Sequence, residues 1–575
     1  MVSPPRSGEL RAALRPFRRA LWGVAALSAM LNVLTLGGSI YMMMVYDSVL
    51  PSRSIPTLVG LFVMVLLAYI FQGFFDFLRQ RILADVGTGL DRALSPRIQH
   101  AMSEMALHRT AGGGDGLTPM RDLDAVRNWL SSAGLAALID MPWIVFFMAM
   151  LFLLHPYLAL TALAGAAILI ALAVLTDRTT REATRDMARI AAWRNGMAEG
   201  NLRHAEVLAA LGMRERMRLR WEQINHAYHG ATRLLAGNIG LFAGIGRVLR
   251  LILQSSLVTV GAVLVIDGKA SAGVVFASSL IGGRALAPVD AAIANWRGFG
   301  AARNGWRRLA DILAKVPPPQ AAGVALPLPY RDLVVSQLTL MPPGSQRIAI
   351  AALDLNLRAG QALGVIGPSA AGKTSLARAL IGVWRPTRGT VRLDGATLDQ
   401  WEPDRLGAAI GYLPQAVELI DGSIAANIAR FDPGASSEAV IAAARAAGIH
   451  EMVVKFPEGY ETQVGEDGGS LSAGQRQRIG LARALYGDPF LVVLDEPNSN
   501  LDAEGDAALA RAIAGVRGRG GIAVIVAHRP SALAQVSHVL IMREGRAETF
   551  GEREDVLRRL AGPAAPVTAV TESGR

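Results

Sequence analysis

The segment whose residue types most clearly indicate chemistry is Gly-x-x-x-x-Gly-Lys-Thr, from Gly367 to Thr374. An apolar run precedes it and a helical pattern follows it, which predicts a loop between a strand and a helix. Backbone N–H groups and the helix N-terminus of such a loop bind phosphate, Lys373 reaches the β- and γ-phosphates, and the Thr374 hydroxyl binds Mg²⁺. A chance glycine-rich turn is the alternative. We expect ATP to contact Gly367, Pro368, Ser369, Ala370, Ala371, Gly372, Lys373, Thr374 and Ser375.

Two adjacent acids lie at the end of a second apolar run. Residues 491–494 read as a buried strand that leads into Asp495 and Glu496. Asp495 can hold Mg²⁺ through water, and Glu496 can polarise the water that attacks the nucleotide. The pair therefore predicts hydrolysis as well as binding.

Three weaker motifs complete the candidate site. The segment LSAGQ, residues 471–475, precedes a helix and can present Ser472 and a helix N-terminus to phosphate, although alone it would be an ordinary helix cap. Gln415 and His528 each follow a strand-like run, and α/β sheets place their sites at the carboxyl ends of strands. Taken by itself, His528 would more often be a structural histidine.

Composition indicates that part of the chain lies in a membrane. Of the 575 residues 51% are hydrophobic, and the mean hydropathy is +0.32, which is unusual for a water-soluble ATPase. The net charge of +11 could indicate a nucleic-acid partner, but a membrane protein with basic cytoplasmic loops has the same net charge. We expect no nucleic-acid partner. The absence of cysteine excludes a disulfide, a thiolate metal site and a cysteine nucleophile.

Six hydrophobic stretches each have the roughly 20 residues that cross a bilayer. They are residues 21–46, 56–78, 130–154, 157–176, 237–266 and 271–294. The long connections, 79–129 and 177–233, are rich in arginine and are predicted to be cytoplasmic, so the nucleotide site lies inside the cell. Their helical periodicity predicts that the spans continue as helices beyond the bilayer.

The domain organisation follows from these patterns and from a proline-rich break that reads as a linker. An α-helical six-span transmembrane domain is followed by an α/β P-loop ATPase domain, in which short apolar strands alternate with helical patterns as in a parallel sheet. The expected parts are a cytoplasmic segment 1–20, the transmembrane domain 21–316, the linker 317–329, the nucleotide-binding domain 330–562 and a tail 563–575.

The order of the motifs described above, together with the segment SNLD at 499–502, resembles the ATPase domain of an ABC transporter. With six spans ahead of these motifs, the chain resembles an ABC exporter half-transporter. Narrower segments resemble the permease/ATPase of type I protein secretion systems, in the metalloprotease-exporter branch. They are VYDSVLPS (45–52), DMPW (140–143), RHAEVLAALGM (203–213), GVWRP (382–386), VRLDGA (391–396), GYLPQ (411–415), DEPNSNLD (495–502) and AHRPS (527–531).

The resemblance implies the type I ABC exporter fold, a domain-entwined homodimer in which each ATP lies between the phosphate loop of one chain and LSAGQ of the other. It implies catalytic roles for Glu496, His528 and Gln415. It also implies nucleotide contacts by Ser472, Gly474 and Gln475, and Mg²⁺ ligation by Thr374, Gln415 and Asp495. Glu466 matches a loop that couples nucleotide state to the cytoplasmic helices.

Membership of this family further implies a place in a larger machine. The expected partners are a periplasmic membrane fusion (adaptor) protein, an outer-membrane tunnel protein, membrane lipid, and an unfolded secreted protein that carries a C-terminal signal. The expected location is the bacterial inner membrane. A lipid or drug exporter would share every ATPase motif, so only the secretion-like segments argue against it. A peptidase-containing exporter is disfavoured by the short segment before the first span and the absence of cysteine.

Two features depart from the simple pattern. Exporters of this kind commonly stack adenine on an aromatic residue about 25 positions before the phosphate loop, where this chain has Pro342, and Tyr330 is too early to replace it. Arg247, Arg250, Gln254 and Arg284 fall within the fifth and sixth stretches. The arginines either line the export path or, alternatively, snorkel to the interface or pair with Asp140 or Asp290.

Overall fold

Long apolar helices form the first part of the chain. The structure, a computed structural model, describes residues 8–107, 116–318, 326–465, 468–527 and 533–561. The chain divides near residue 319 into two compact units. The helices of the first are α1 (Gly8–Leu14), α2 (Arg18–Met44), α3 (Leu50–Ser52), α4 (Ile55–Leu107), α5 (Thr118–Leu130), α6 (Ala133–Asp140), α7 (Trp143–Leu154), α8 (Pro156–Arg203), α9 (Ala205–Ala210), α10 (Arg214–Ile266), α11 (Ala272–Ala294) and α12 (Trp296–Lys315).

The described helices provide six candidate membrane spans if one bent pair is counted as a span. Within the described residues, five segments are long and apolar enough to cross a membrane: α1 to α3 taken together, α4, α8, α10 and α11. The sixth is the pair α6 and α7, which meet at an angle of 48°. The break falls at Met141 and Pro142, because proline cannot donate the backbone hydrogen bond that would continue α6. The third span is therefore not the straight helix that its hydropathy alone suggests.

Three spanning helices are much longer than a bilayer is thick. Helices α4 and α10 each contain 53 residues, and α8 contains 48. At 1.5 Å per residue these lengths are about 70–80 Å, against about 30 Å for the hydrocarbon core. The expected continuation of the spans as helices beyond the membrane is confirmed.

Two larger apolar cores and a smaller one hold the described part of this unit together. One joins α7, α8, α10 and α11 through buried side chains that include Phe147, Leu158 and Leu257. The other joins α1, the second half of α4, α5 and α12, and includes Leu10 and Leu309.

Ion pairs account for some of the charged side chains within the spans. Arg250 pairs with Asp290 at 2.9 Å, which is one of the alternatives that the sequence leaves open. Asp140 is not a partner of the arginines in the fifth and sixth spans, because it accepts hydrogen bonds from Arg79 at 2.9 Å and from Asn32 at 3.1 Å.

Arg247 and Arg284 lie on exposed helix faces of the single chain. Neither forms an ion pair with any residue that the structure describes.

The second unit is an α/β domain, as the sequence predicts. Its helices are α13 (Lys373–Leu380), α14 (Pro403–Ala409), α15 (Ile424–Ile428), α16 (Ser437–Ala446), α17 (His450–Val454), α18 (Ala473–Leu485), α19 (Ala503–Gly518) and α20 (Arg553–Ala561). Its strands are β1 (Asp332–Leu340), β2 (Ile350–Arg358), β3 (Ala362–Ile366), β4 (Arg388–Leu393), β5 (Ala396–Thr397), β6 (Ile410–Leu413), β7 (Leu491–Asp495), β8 (Ile522–Val526), β9 (His538–Arg543) and β10 (Arg546–Glu552).

The strands form two sheets rather than one parallel sheet. The larger has the order β10-β9-β3-β8-β7-β6, with β9 to β6 parallel and β10 antiparallel at the edge. The smaller, β2-β1-β4-β5, is wholly antiparallel. The expectation of a single parallel sheet was wrong for these strands, because no helix lies between β1 and β2 to provide the crossover that parallel pairing needs.

Candidate nucleotide site

Strand register brings the motifs of the second unit to one edge of the larger sheet. Val526 of β8 pairs with Val365 of β3 on one side and with Asp495 of β7 on the other. Leu413 of β6 pairs with Leu494 of β7. Parallel strands end at the same edge, so the phosphate loop after β3, the acids at the end of β7 and the loop after β6 that holds Gln415 are neighbours.

Backbone geometry explains two glycines of the phosphate loop. Gly367 has a φ of 155° and Gly372 a φ of 96°, both outside the range that other residues adopt readily. A Cβ atom at Gly367 would lie 2.1 Å from the carbonyl oxygen of Met542, and one at Gly372 would lie 2.5 Å from that of Ala349. The loop therefore curls closely against β9 and the start of β2.

Lys373 lies within the curve of this loop. Its Nζ donates hydrogen bonds to the carbonyl oxygens of Gly367 at 2.7 Å and Pro368 at 2.9 Å, and the residue is only 6% exposed. Burial lowers the pKa of Lys373, while the nearby carboxylates of Glu496 and Asp495 oppose that shift. The ammonium group is therefore a partly desolvated cation, suited to an anionic ligand.

Thr374 and Asp495 fit a hydrated Mg²⁺ ion. The Thr374 hydroxyl donates to Oδ1 of Asp495 across 3.4 Å. Asp495 is fully buried, and its Oδ2 has no hydrogen-bond partner among the described residues. Burial raises the pKa of Asp495, although the hydrogen bond from Thr374 lowers it. A buried carboxylate oxygen without a donor is a site that a cation or its water would satisfy.

Glu496 follows Asp495 in a strained conformation. Its φ is 51°, in the left-handed region that non-glycine residues seldom occupy. Its N–H donates to the carbonyl oxygen of Val526 at 3.0 Å, which ties the residue to β8. Strain of this kind persists where surrounding contacts fix the backbone.

One positioning residue was missed by the sequence analysis. Gln477 of α18 is 2% exposed, and its Nε2 donates to the carbonyl oxygens of Glu496 at 3.2 Å and Pro497 at 2.5 Å. Its Oε1 accepts from the N–H of Asn500 at 3.0 Å. The available signal was helical period, because Gln477 shares a face of α18 with the buried residues Gly480 and Leu481.

The segment LSAGQ starts α18 with a reciprocal cap. Oγ of Ser472 accepts from the N–H of Gln475 at 3.3 Å, and the N–H of Ser472 donates to Oε1 of Gln475 at 2.8 Å. A Cβ atom at Gly474 would lie 3.0 Å from the carbonyl oxygen of Asn500, so this glycine lies close to the segment that follows Glu496.

Three further candidate residues are placed as follows. Gln415 is exposed just beyond β6. His528 and Glu466 lie outside the described residues.

No aromatic residue lies on β1 or on the loop that follows it, residues 341–349. The N–H of Ala349 donates to Leu340, and the Ala349 carbonyl lies against Gly372, so the end of β1 and the loop with Pro342 are near the phosphate loop. Tyr330 precedes the opposite end of β1, about 30 Å away at 3.3 Å per residue. Tyr330 therefore lies toward the end of β1 that is remote from the phosphate loop.

Comparison with known proteins identifies the family. Residues 350–499 match the family model described as ABC transporter, and residues 21–282 match the ABC transporter transmembrane region. The chain is 49% identical to the type I secretion system ATP-binding protein PrsD of Rhizobium meliloti (strain 1021), over 98% of this chain and 96% of that protein. The chain belongs to the type I secretion branch of the ABC transporters.

More distant members and a solved structure agree with this assignment. The toxin RTX-I translocation ATP-binding protein of Actinobacillus pleuropneumoniae is 26% identical over 94% of this chain and 77% of its own length. The alpha-hemolysin translocation ATP-binding protein HlyB of Escherichia coli is 26% identical over 95% and 77%. A bacterial Atm1-family ABC exporter with ATP bound superposes with a TM-score of 0.81, at 22% identity and with 94% and 96% of the two chains covered. This last likeness shows the fold.

Membership of the type I secretion ABC transporters establishes the activity of the protein. The protein is a multi-pass membrane ATPase that binds nucleotide and couples its hydrolysis to protein export. The interpretation as a lipid or drug exporter is set aside, since the named relatives are secretion and toxin-translocation proteins.

Proposed function

We propose that this protein works as a homodimer in the bacterial inner membrane and exports unfolded proteins that carry a C-terminal signal. Its partners are then a periplasmic adaptor and an outer-membrane tunnel protein. The similarity to PrsD, which extends over nearly the whole of both chains, carries the proposal. The arginine-rich connections between spans support an orientation with the ATPase in the cytoplasm.

At the nucleotide site we propose the following roles. Lys373 and the amides of the phosphate loop bind the triphosphate, while Thr374, Gln415 and Asp495 hold Mg²⁺, which neutralises phosphate charge when bound. Glu496 polarises the attacking water, and His528 contacts the γ-phosphate. Because each ATP is shared between two chains, Ser472, Gly474 and Gln475 act on the nucleotide bound by the partner.

Reconstituted export tests the proposal. The protein would be expressed with its adaptor, the outer-membrane protein and candidate secreted proteins encoded near it, and cargo would be measured in the medium. We expect export of a cargo that depends on its C-terminal segment and fails with Glu496→Gln. Export of lipid or a small molecule, with no protein cargo stimulating ATPase activity, would contradict it.

A further inference from the structure

A single arginine joins the ends of two elements that carry proposed site residues. Nε of Arg430 donates to the carbonyl oxygen of Arg483 at 3.0 Å, and Nη2 donates to that of Ala484 at 3.3 Å. Nη1 donates to the carbonyl oxygens of Gly407 at 2.7 Å and Ile410 at 3.0 Å. The first two carbonyls end α18, whose N-terminus holds Ser472, and the last begins β6, which leads to Gln415.

The bonding pattern requires a guanidinium group. Carbonyls in the last turn of a helix have no partner within the helix and favour a cation. Arg430 satisfies two in α18 and one in α14, and no carboxylate pairs with it among the described residues. Burial lowers the pKa of Arg430. Lysine, with one ammonium on a flexible stem, cannot reproduce the planar fork.

The same arginine is anchored to the far side of the Gln415 loop, which is residues 414–423 between β6 and α15. Arg430 and Phe431 have φ angles of 57° and 58°, an unusual pair for non-glycine residues. The ring of Phe431 lies 3.1 Å from the position of a Cβ atom at Gly422, near the end of that loop. Asn427, fully buried, closes the loop by bonding to both the N–H and the carbonyl oxygen of Ile420.

Direct packing reinforces the connection between β6 and α18. A Cβ atom at Gly411 would lie 2.0 Å from the carbonyl oxygen of Ala484, so β6 touches the last turn of α18 without an intervening side chain. Arg430 therefore binds both sides of a contact that is already close. A shift of the Gln415 loop has few ways to occur without moving α18.

We propose that Arg430 is a positioning residue that couples the Gln415 loop to α18. Within one chain, Arg430 then links Gln415, at that chain's own nucleotide, to the segment with Ser472, at the nucleotide bound by the partner. This inference rests on the roles proposed above for Gln415 and Ser472. Arg430 touches neither nucleotide nor phosphate loop, so its loss affects turnover and spares ATP binding.

The test compares Arg430→Met and Arg430→Lys with Arg517→Met in the full chain purified in detergent. Arg517 is a matched control, because it also donates to two carbonyl oxygens, those of Gly360 and Gln535, at a distance from both elements. We measure kcat and KM for ATP well below the unfolding midpoint of each variant. We expect both Arg430 variants to lose about tenfold or more in kcat with KM within about twofold, and Arg517→Met to keep the parent kcat.

Two results would overturn the coupling role: a parent-like kcat in a folded Arg430 variant, or an equal loss of kcat in Arg517→Met. If Arg430→Met fails to fold, Arg430→Lys decides the question by the same comparison. Gln415→Ala and Ser472→Ala are measured in parallel. Parent-like kcat in those two variants would overturn the roles proposed for the nucleotide site, whatever the Arg430 variants show.

Discussion

At the scale of single residues, the side chain of Glu496 has the clearest expected effect. Its backbone is fixed by β8 and by Gln477, so Glu496→Gln should change the charge and leave the site in place. We expect ATP binding to persist while hydrolysis nearly stops, because the group proposed to polarise water is lost and the proposed phosphate and Mg²⁺ ligands remain. Binding and hydrolysis are measured in nanodiscs, and a parent-like rate would contradict the role of Glu496.

Asp495 should be a destabilising residue when no ligand is bound. Burial raises the pKa of Asp495 above its value in the unfolded chain. The protonated carboxyl therefore contributes stability below the usual aspartate pKa, and this stability is lost as pH rises through the raised value. Asp495→Asn should therefore raise the thermal unfolding midpoint of the ligand-free protein at pH 7, and the difference should vanish near pH 4. The variant should also lose stabilisation by Mg²⁺ with nucleotide. A lower midpoint at pH 7 would contradict the prediction.

Base selectivity should be weak. Because Pro342 stands where related exporters commonly have an aromatic residue, adenine should lack a stacking contact of about 1–3 kcal/mol. Lys373 and the loop amides, by the roles proposed above, should hold any triphosphate equally. GTP should be hydrolysed within about tenfold of ATP, since 1.4 kcal/mol corresponds to a factor of ten. Pro342→Tyr should widen the preference for ATP. A hundredfold preference in the parent protein would show that another group recognises the base.

At the scale of elements, the charged faces of α10 and α11 are expected to interact with the exported cargo. Arg250 has its own counter-ion in Asp290, whereas Arg247 and Arg284 are exposed within their spans. Ionisable groups at membrane depth cost several kcal/mol if they face lipid, so these two should face protein or water. We propose that they attract acidic, unfolded cargo along the export path.

Replacement of these arginines tests that proposal. Arg247→Gln combined with Arg284→Gln should lower export and cargo-stimulated ATPase activity while basal activity and dimerisation stay unchanged. Addition of Arg250→Gln should also leave Asp290 unpaired and reduce stability, which the unfolding midpoint reports. Normal secretion by a stable, well-inserted double variant would refute a role in the path.

At the scale of the whole molecule, the proposed head-to-tail dimer predicts rescue between two inactive variants. Lys373→Ala disables the phosphate loop, and Gly474→Asp places a larger side chain against Asn500. Each homodimer should be inactive. A mixed dimer has one site with both changes and one with neither, so equal co-expression should restore up to about a quarter of parental ATPase activity. No activity in purified mixed dimers, tagged separately on each chain, would contradict sites shared between chains.

The sequence by itself determined the parts of this protein whose signals are local. A run of about 20 apolar residues can be recognised as a membrane span in any context. The phosphate loop can be recognised because enclosing phosphate requires a fixed spacing of Gly367, Gly372, Lys373 and Thr374. The strand before Asp495 and the helix after LSAGQ follow from short-range periodicity and capping. These features needed no knowledge of distant contacts.

Tertiary structure alone decided which distant residues meet. The antiparallel pairing of β1 with β4, the pairing of Arg250 with Asp290 and of Asp140 with Arg79, and the four carbonyls around Arg430 all depend on packing between segments separated in the chain. An arginine or glutamine in a helix has the same local pattern whether it is solvated or buried. Its role is fixed only when folding brings unpaired carbonyls or carboxylates to it, because desolvation then makes each missing partner costly.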